Sequence, residues 1–332
     1  MSVDAATETA SGQTEGARRI RRGVRVRDYG IVVALVAMIV ALSLSTSTFL
    51  SVSNLVNVLD QCSVVGLLAA GATVCIISGV FDLTASASLA LSAIVGVQVS
   101  RVGGVFVGFA AAVLAGALLG YVTGSIVVRS GVNSFIATLA TSIIYRGLAV
   151  VVTAGAIVYP LTRDATDFGM LTWPSVANLT SATIVFVVVV AAIAVLIAYT
   201  TFGRRIYAVG GNIEAARLSG IRVGQIHISA YVVSGVCSAL AGLILASRAG
   251  SAESSMATGE ELTAIAAAVI GGTSILGGEG AVWRGVVGAL LLTLIGNGFN
   301  LLGWNTTYQQ VVQGVLILLA VAVDRYLRKR SR

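Results

Sequence analysis

Apolar residues fall in long, nearly unbroken blocks, separated by short stretches where Gly, Ser, Asn and Arg collect. The period-2 alternation of a membrane β-barrel strand does not recur in them. A block of about 20 residues rises about 30 Å as a helix, which is the thickness of a bilayer's hydrocarbon core. Ten such helices are predicted, over 29–49, 54–77, 84–100, 104–128, 133–154, 180–200, 228–248, 261–276, 282–302 and 307–324. The chain therefore reads as an all-α polytopic membrane protein. A polar tail spans 1–27, a transmembrane region 28–326 contains a soluble loop at 202–227, and a basic tail spans 327–332. The first block, despite its basic flank, is long enough to span and is read as a helix and not as a cleaved signal.

Composition supports lipid as the solvent. The chain of 332 residues is 57% apolar and 11% charged, where soluble domains are about half apolar and about a quarter charged. A soluble fold of this size could not cover so much apolar surface. The formal charge is +7, but its placement argues for topology and against a nucleic-acid groove. Of the 21 Lys and Arg, 17 fall on one side of the ten-helix arrangement: the arginines of 18–27, then Arg129, Arg204, Arg205, Arg217, Arg222, Arg284 and the C-terminal cluster. By the positive-inside bias this side is cytoplasmic, and both termini share it. Arg101, Arg163 and Arg248 fall outside, and Arg146 sits within the fifth span. Cys62, Cys75 and Cys237 lie in apolar stretches without paired spacing, which fits inert thiols and neither a disulfide nor a metal site.

Glycine is abundant at 38 residues and proline scarce at 2. Gly116, Gly120 and Gly124 stand four apart on the fourth span, a stripe that lets two helix backbones approach closely. The external segment 155–179 holds Arg163, Asp164, Asp167 and both prolines, Pro160 and Pro174.

The loop 202–227 contains Asn212, Glu214, Ala215, Ala216, Arg217 and Gly220. Asn212 suits an N-cap, Glu214 the positive end of a short helix, and Gly220 its close. Small Ala215 and Ala216 permit approach by another protein, although a solvated connecting helix would use the same residues. Here the chain resembles a known family. Glu214-Ala215-Ala216-…-Gly220 resembles the Glu-Ala-Ala loop of ATP-binding-cassette importer permeases, and Gly210 through Ile221 is similar to the ribose-type monosaccharide permeases in particular. Further matches are 271–280 (GGTSILGGEG), 297–303 (NGFNLLG), 78–84 (SGVFDLT) and 135–139 (FIATL), in order along the chain. Phe81 departs from the family's usual Ile or Val, and Ala85-Ser86 from a common Val-Gly pair.

The resemblance implies a permease subunit in the bacterial cytoplasmic membrane. Its implied partners are a cytoplasmic ATPase, a second permease copy, and a periplasmic or extracellular sugar-binding protein delivering a pentose or hexose. It implies that Glu214, Ala215, Ala216, Arg217 and Gly220, with Glu279 on the 271–280 turn, couple to the ATPase. This chain has no catalytic role and no cofactor of its own. Lys329 is its one lysine, so a nucleotide P-loop is excluded, and ATP with Mg²⁺ belongs to the partner.

Polar groups at lipid depth are candidates for the translocation path: Asp82, Asn57, Phe135, Thr138, Asn297 and Asn300, with Gln61, Asn133, Thr141, Gln309 and Trp304 as further choices. Asp82 either caps a broken helix or faces the path. Arg146 needs a carboxylate or backbone carbonyls, and the lone His227 has a loop-edge role. A membrane enzyme would cluster His, Cys or carboxylates, and a proton-coupled carrier would show several intramembrane acids, where Asp82 comes nearest. Cargo alternatives within the superfamily are a branched-chain amino acid, a nucleoside or a signalling furanosyl compound.

Overall fold

A computed structural model describes residues 30–161, 164–176, 179–304 and positions 308, 309, 311, 312, 314, 315 and 318. The N-terminal tail, most of the tenth expected span and the C-terminal tail lie outside the described residues. Seven described helices are long and apolar enough to cross a membrane: α2 (Val52–Ile77), α3 (Ala85–Gly103), α4 (Val105–Ser130), α5 (Ser134–Thr153), α7 (Ser181–Tyr199), α10 (Val223–Ala249) and α12 (Val282–Leu301). A shorter apolar helix, α1, runs Gly30–Ser45. The short helices α6 (Ala165–Phe168), α8 (Thr201–Gly211), α9 (Ile213–Leu218) and α11 (Glu260–Ile270) complete the set.

Helices α2, α3, α10 and α12 form the interior, while α4, α5 and α7 bury far less of themselves. The outer faces are apolar: Phe106, Leu114 and Leu118 on α4, Ile136, Ile143 and Val151 on α5, Val187 and Val195 on α7 are all exposed. A belt of this extent exceeds any apolar patch tolerated in water. The protein is therefore an integral membrane protein, with lipid against α4, α5 and α7.

The glycine stripe of α4 meets α10. A Cβ on Gly120 would stand 2.2 Å from the Tyr231 carbonyl oxygen, and one on Gly116 2.4 Å from that of Gly235. Gly235 reciprocates, since its Cβ would stand 2.1 Å from the Gly116 oxygen. The stripe thus joins two helices of one chain.

Two crossings are broken. Between α2 and α3, residues 78–84 are non-helical. The second break corrects an expectation. The block 261–276 was expected to span as a helix, but α11 has 11 residues and ends at Ile270, so it rises only about 16 Å. The helix stops because Gly271 is pressed against the next helix: its Cβ would meet the Arg284 oxygen at 2.3 Å, and Gly272 takes φ 88°. The irregular connection 250–259 supplies the rest of the crossing.

The segment expected as an external loop is folded. Helix α6, a 3-10 turn at Gly169–Thr172 and a small hairpin of β1 (Pro174–Val176) with β2 (Leu179–Thr180) pack on the helix ends. Phe168 is buried edge-on against Phe109, ring centres 5.4 Å apart. Val158 and Ala252 exchange backbone hydrogen bonds of 2.8 Å, tying this segment to the 250–259 connection.

Substituting Gly120→Ala should cost about 1–3 kcal/mol through overpacking against α10, whereas Gly147→Ala, with open space around its Cβ, should be neutral. Thermal melting of the detergent-solubilised protein measures both.

Candidate functional site

The end of the molecule that gathers Arg129, Arg204, Arg205, Arg217, Arg222 and Arg284 is where α8 and α9 lie. Thr200 caps α8, its Oγ1 accepting from Gly203 N at 3.3 Å. Asn212 caps α9 as its spacing suggested, its Oδ1 accepting from Ala215 N at 3.0 Å. Glu214 and Arg217 form an ion pair of 3.0 Å across one turn, with both side chains exposed. At that exposure the pair stabilises the helix by a few tenths of a kcal/mol, about 0.3–0.5. Gly220 follows at φ 78°, where a residue with a Cβ would be strained. Ala216 packs inward and Ala215 faces out. Leu218 is 88% exposed and Ile213 40% on this short helix.

The base of α9 is held in a tight knot. The α8 end, Gly210-Gly211, lies against the end of α2 so closely that a Cβ on Gly210 would stand 1.8 Å from the Ile77 oxygen. The 271–280 turn closes the third side: Gly278 N donates to that same Ile77 oxygen at 2.9 Å, and Tyr207 Oη donates to the Gly280 oxygen at 2.9 Å. Burial pushes the Tyr207 phenol above its ordinary pKa, with the nearby Arg284 charge opposing, so the hydroxyl keeps its proton and donates. His227, expected at a loop edge, lies on the first turns of α10 and its Nε2 donates to the Ser78 oxygen at 3.1 Å. The knot therefore ties α8, the 271–280 turn and α10 to the point where α2 breaks. Glu279 is exposed on that turn, beside Leu276, which is 69% exposed.

From the knot the non-helical segment 78–84 runs inward. Tyr231 Oη donates to the Phe81 oxygen at 2.8 Å, and Phe81 N donates to Ser134 Oγ at 3.1 Å. Asp82 is buried, and its Oδ1 accepts from Thr84 N (2.8 Å) and Thr84 Oγ1 (2.6 Å). These contacts close a turn just before the start of α3.

The other path candidates fall at two ends of the molecule: Asn57, Asn297 and Asn300 lie within a turn of the Asn54–Asn297 contact, and Phe135 and Thr138 lie on the first turns of α5. Thr138 is buried and returns its hydroxyl to the Ser134 oxygen at 2.8 Å. Asn297 is buried in a paired amide contact with Asn54, 2.8 and 3.2 Å. Asn57 is exposed near the far end of α2, accepting from Gln61 at 3.3 Å and Arg248 at 3.5 Å. Phe135 is exposed at the opposite end, its N capped by Asn133 at 2.9 Å, and Asn300 is exposed late on α12. Thr138 and Asn297 each have a hydrogen-bond partner within the chain. Cys62, Cys75 and Cys237 are free and buried. No group of His, Cys, Asp and Glu able to hold a metal occurs among the described residues.

Sequence reading overlooked Asp60. It lies within α2, and its Oδ1 accepts from the hydroxyls of Thr180 and Thr183 (3.1 Å for Thr183), fastening α2 to the start of α7. The signal was present, since an acid inside the apolar block 54–77 meets the same criterion that singled out Asp82.

The structure is thus a membrane-embedded helical body with a close-packed knot at one end that displays a short exposed helix. A family model described as "Branched-chain amino acid transport system / permease component" matches residues 54–321, and the chain belongs to that family. The ribose import permease protein RbsC of Escherichia coli (strain K12) is 39% identical over 318 residues, covering 94% of this chain and 98% of the relative. RbsC of Bacillus subtilis (strain 168) is 38% identical over 326 residues, 96% and 98% of the two chains. The L-arabinose transport system permease protein AraH of Escherichia coli (strain K12) is 35% identical over 308 residues, 92% of each. No solved structure matches the chain.

Gly210→Ala should disrupt the knot, lowering stability by about 1–3 kcal/mol as other forced contacts do. Gly211→Ala, whose Cβ meets nothing within 4 Å, serves as the neutral neighbour. Melting midpoints of the two variants, compared with the parent, measure the difference.

Proposed function

We propose that the chain is the membrane-spanning permease subunit of an ATP-driven importer that carries a monosaccharide, a pentose or hexose, across the bacterial cytoplasmic membrane. The observation that carries the reading is similarity over nearly the full chain to permeases named for ribose and arabinose import, joined to the exposed α9 anchored in the knot. Ten spans, with both termini and α9 on the cytoplasmic side, fit the arginine distribution.

In this reading a separate ATPase binds ATP with Mg²⁺ and docks on α9 and the 271–280 turn. Leu218, Ile213 and Leu276 supply the apolar contact, with Glu214, Ala215, Arg217 and Glu279 around it. Ala216 seats the helix and Gly220 lets the chain turn back into α10. Movement of α9 passes through Gly210 and the turn to the end of α2, where the segment 78–84 begins. A second copy of the permease pairs with this chain around the pathway. A sugar-binding protein on the opposite face delivers the solute.

The family description names branched-chain amino acids, so an amino acid is the competing cargo. Asp60, Asp82 and Arg146 are each held by hydroxyls or backbone, and the similarity to the ribose and arabinose permeases favours a sugar over an amino acid.

Uptake of labelled ribose, arabinose and leucine by cells expressing the full transporter separates the cargo readings. Sugar uptake driven by ATP supports the proposal, and leucine uptake without sugar uptake rejects it. Leu218→Asp places a charge in the docking contact and should lower uptake at least tenfold with the permease still in the membrane. Undiminished uptake would sink the α9 docking reading.

A further inference from the structure

Arg146 is the one described arginine placed between the two ends of the molecule, about 18 Å along α5 from Ser134 at 1.5 Å per residue. Its Nη1 donates to the Ser254 oxygen at 2.5 Å and the Met256 oxygen at 2.9 Å, and its Nη2 to Ser86 Oγ at 3.0 Å. Ser254 and Met256 belong to the irregular connection that leads into α11; Ser86 is in the first turn of α3. One side chain from an unbroken helix thus reaches the irregular approach to α11 and the first turn of α3. Glu261, one residue into α11, accepts from Gly259 N at 3.1 Å, and its charge acts on Arg146.

Two requirements meet there. Backbone that leaves the helix at membrane depth needs hydrogen-bond partners inside the protein, and the carbonyls of 254 and 256 find theirs in Arg146. A guanidinium at that depth needs acceptors of its own. The planar fork of arginine serves both carbonyls and a hydroxyl at once, which a compact ammonium on a lysine stem does not.

We infer that Arg146 is a positioning residue that clasps the two broken crossings together, holding the 250–259 connection against α3 so that the outer half of the transport pathway keeps one arrangement. The contacts to 254 and 256 set the connection's depth, and the contact to Ser86 makes it follow α3. Because α3 begins where the segment from the knot ends, the clasp is where motion at α2 would reach the outer half. The inference rests on the membrane placement and is independent of which solute is carried.

The test places a reporter in the connection. Ser255→Cys is exposed, and Cys62, Cys75 and Cys237 are buried, so an impermeant maleimide added to intact spheroplasts reads that position. With Arg146→Lys, the modification rate should rise at least fivefold at equal protein abundance; with Ser86→Ala, which removes one of three contacts, it should rise by a smaller factor. A rate in Arg146→Lys equal to the parent's overturns the clasp. Lost abundance in Arg146→Lys with an unchanged rate in Ser86→Ala also overturns it, assigning Arg146 to folding alone. Labelling only from the inner side overturns it together with the orientation, and sugar uptake, measured separately, stays a test of cargo.

Discussion

Hydrogen-bonding of the backbone in a medium that offers no partners is the constraint from which this architecture follows. Seven long helices meet it internally. The two crossings that abandon the helix meet it with side chains drawn from other elements: Tyr231 and Ser134 on the segment 78–84, Arg146 on the connection 250–259. Polar residues that would be expensive against lipid are therefore concentrated beside the breaks. A break held by a few long side chains is easier to rearrange than a helix, in which each residue's hydrogen bond reinforces the next.

Rigidity elsewhere comes from omission of side chains. Gly116, Gly120 and Gly235 bring α4 and α10 into backbone contact, where dispersion, and not the hydrophobic effect, holds helices in lipid. The same device at Gly210 and Gly278 locks the base of α9 to α2. Close packing of this kind transmits displacement because it leaves no free volume to absorb it. A body assembled this way has stiff joints at α4–α10 and at the knot.

Much of this was legible in the sequence. The block lengths marked the spans, Asn212 and Gly220 bracketed α9, and the four-residue glycine spacing marked a packing face. The misreading at 261–276 has a physical source. Hydropathy registers apolar content and not the depth at which a segment begins, so a half-length helix followed by buried Gly271 and Gly272 reads like a full one. Partners were equally hidden. Nothing local says that Arg146 reaches residues more than a hundred positions away, or that Asp60 binds Thr183. Asn297 and Thr138 were polar at lipid depth, as path residues would be, yet one pairs with Asn54 and the other with its own helix. A hydroxyl or amide in an apolar block reveals a need for a partner, and the fold decides whether that partner is the solute.

The charges complete the argument about cargo. An ion at membrane depth is tolerated when its hydrogen-bonding capacity is filled. Asp82 closes on Thr84, Asp60 on two threonines and Arg146 on two carbonyls and a serine. These interactions anchor the charged side chains to the protein, so a solute passing them would have to break a structural bond to gain an ionic one. A neutral polyol makes no such demand, because its hydroxyls exchange hydrogen bonds with exposed amides and carbonyls at similar energy on either side of each step. A zwitterion would need a fixed countercharge that a transporter could present and withdraw. Asp60, Asp82 and Arg146 are held in place by the protein. The half-buried Glu260 at the start of α11, with one buried carboxylate oxygen that has no hydrogen-bond partner among the described residues, is the acid on which that alternative turns.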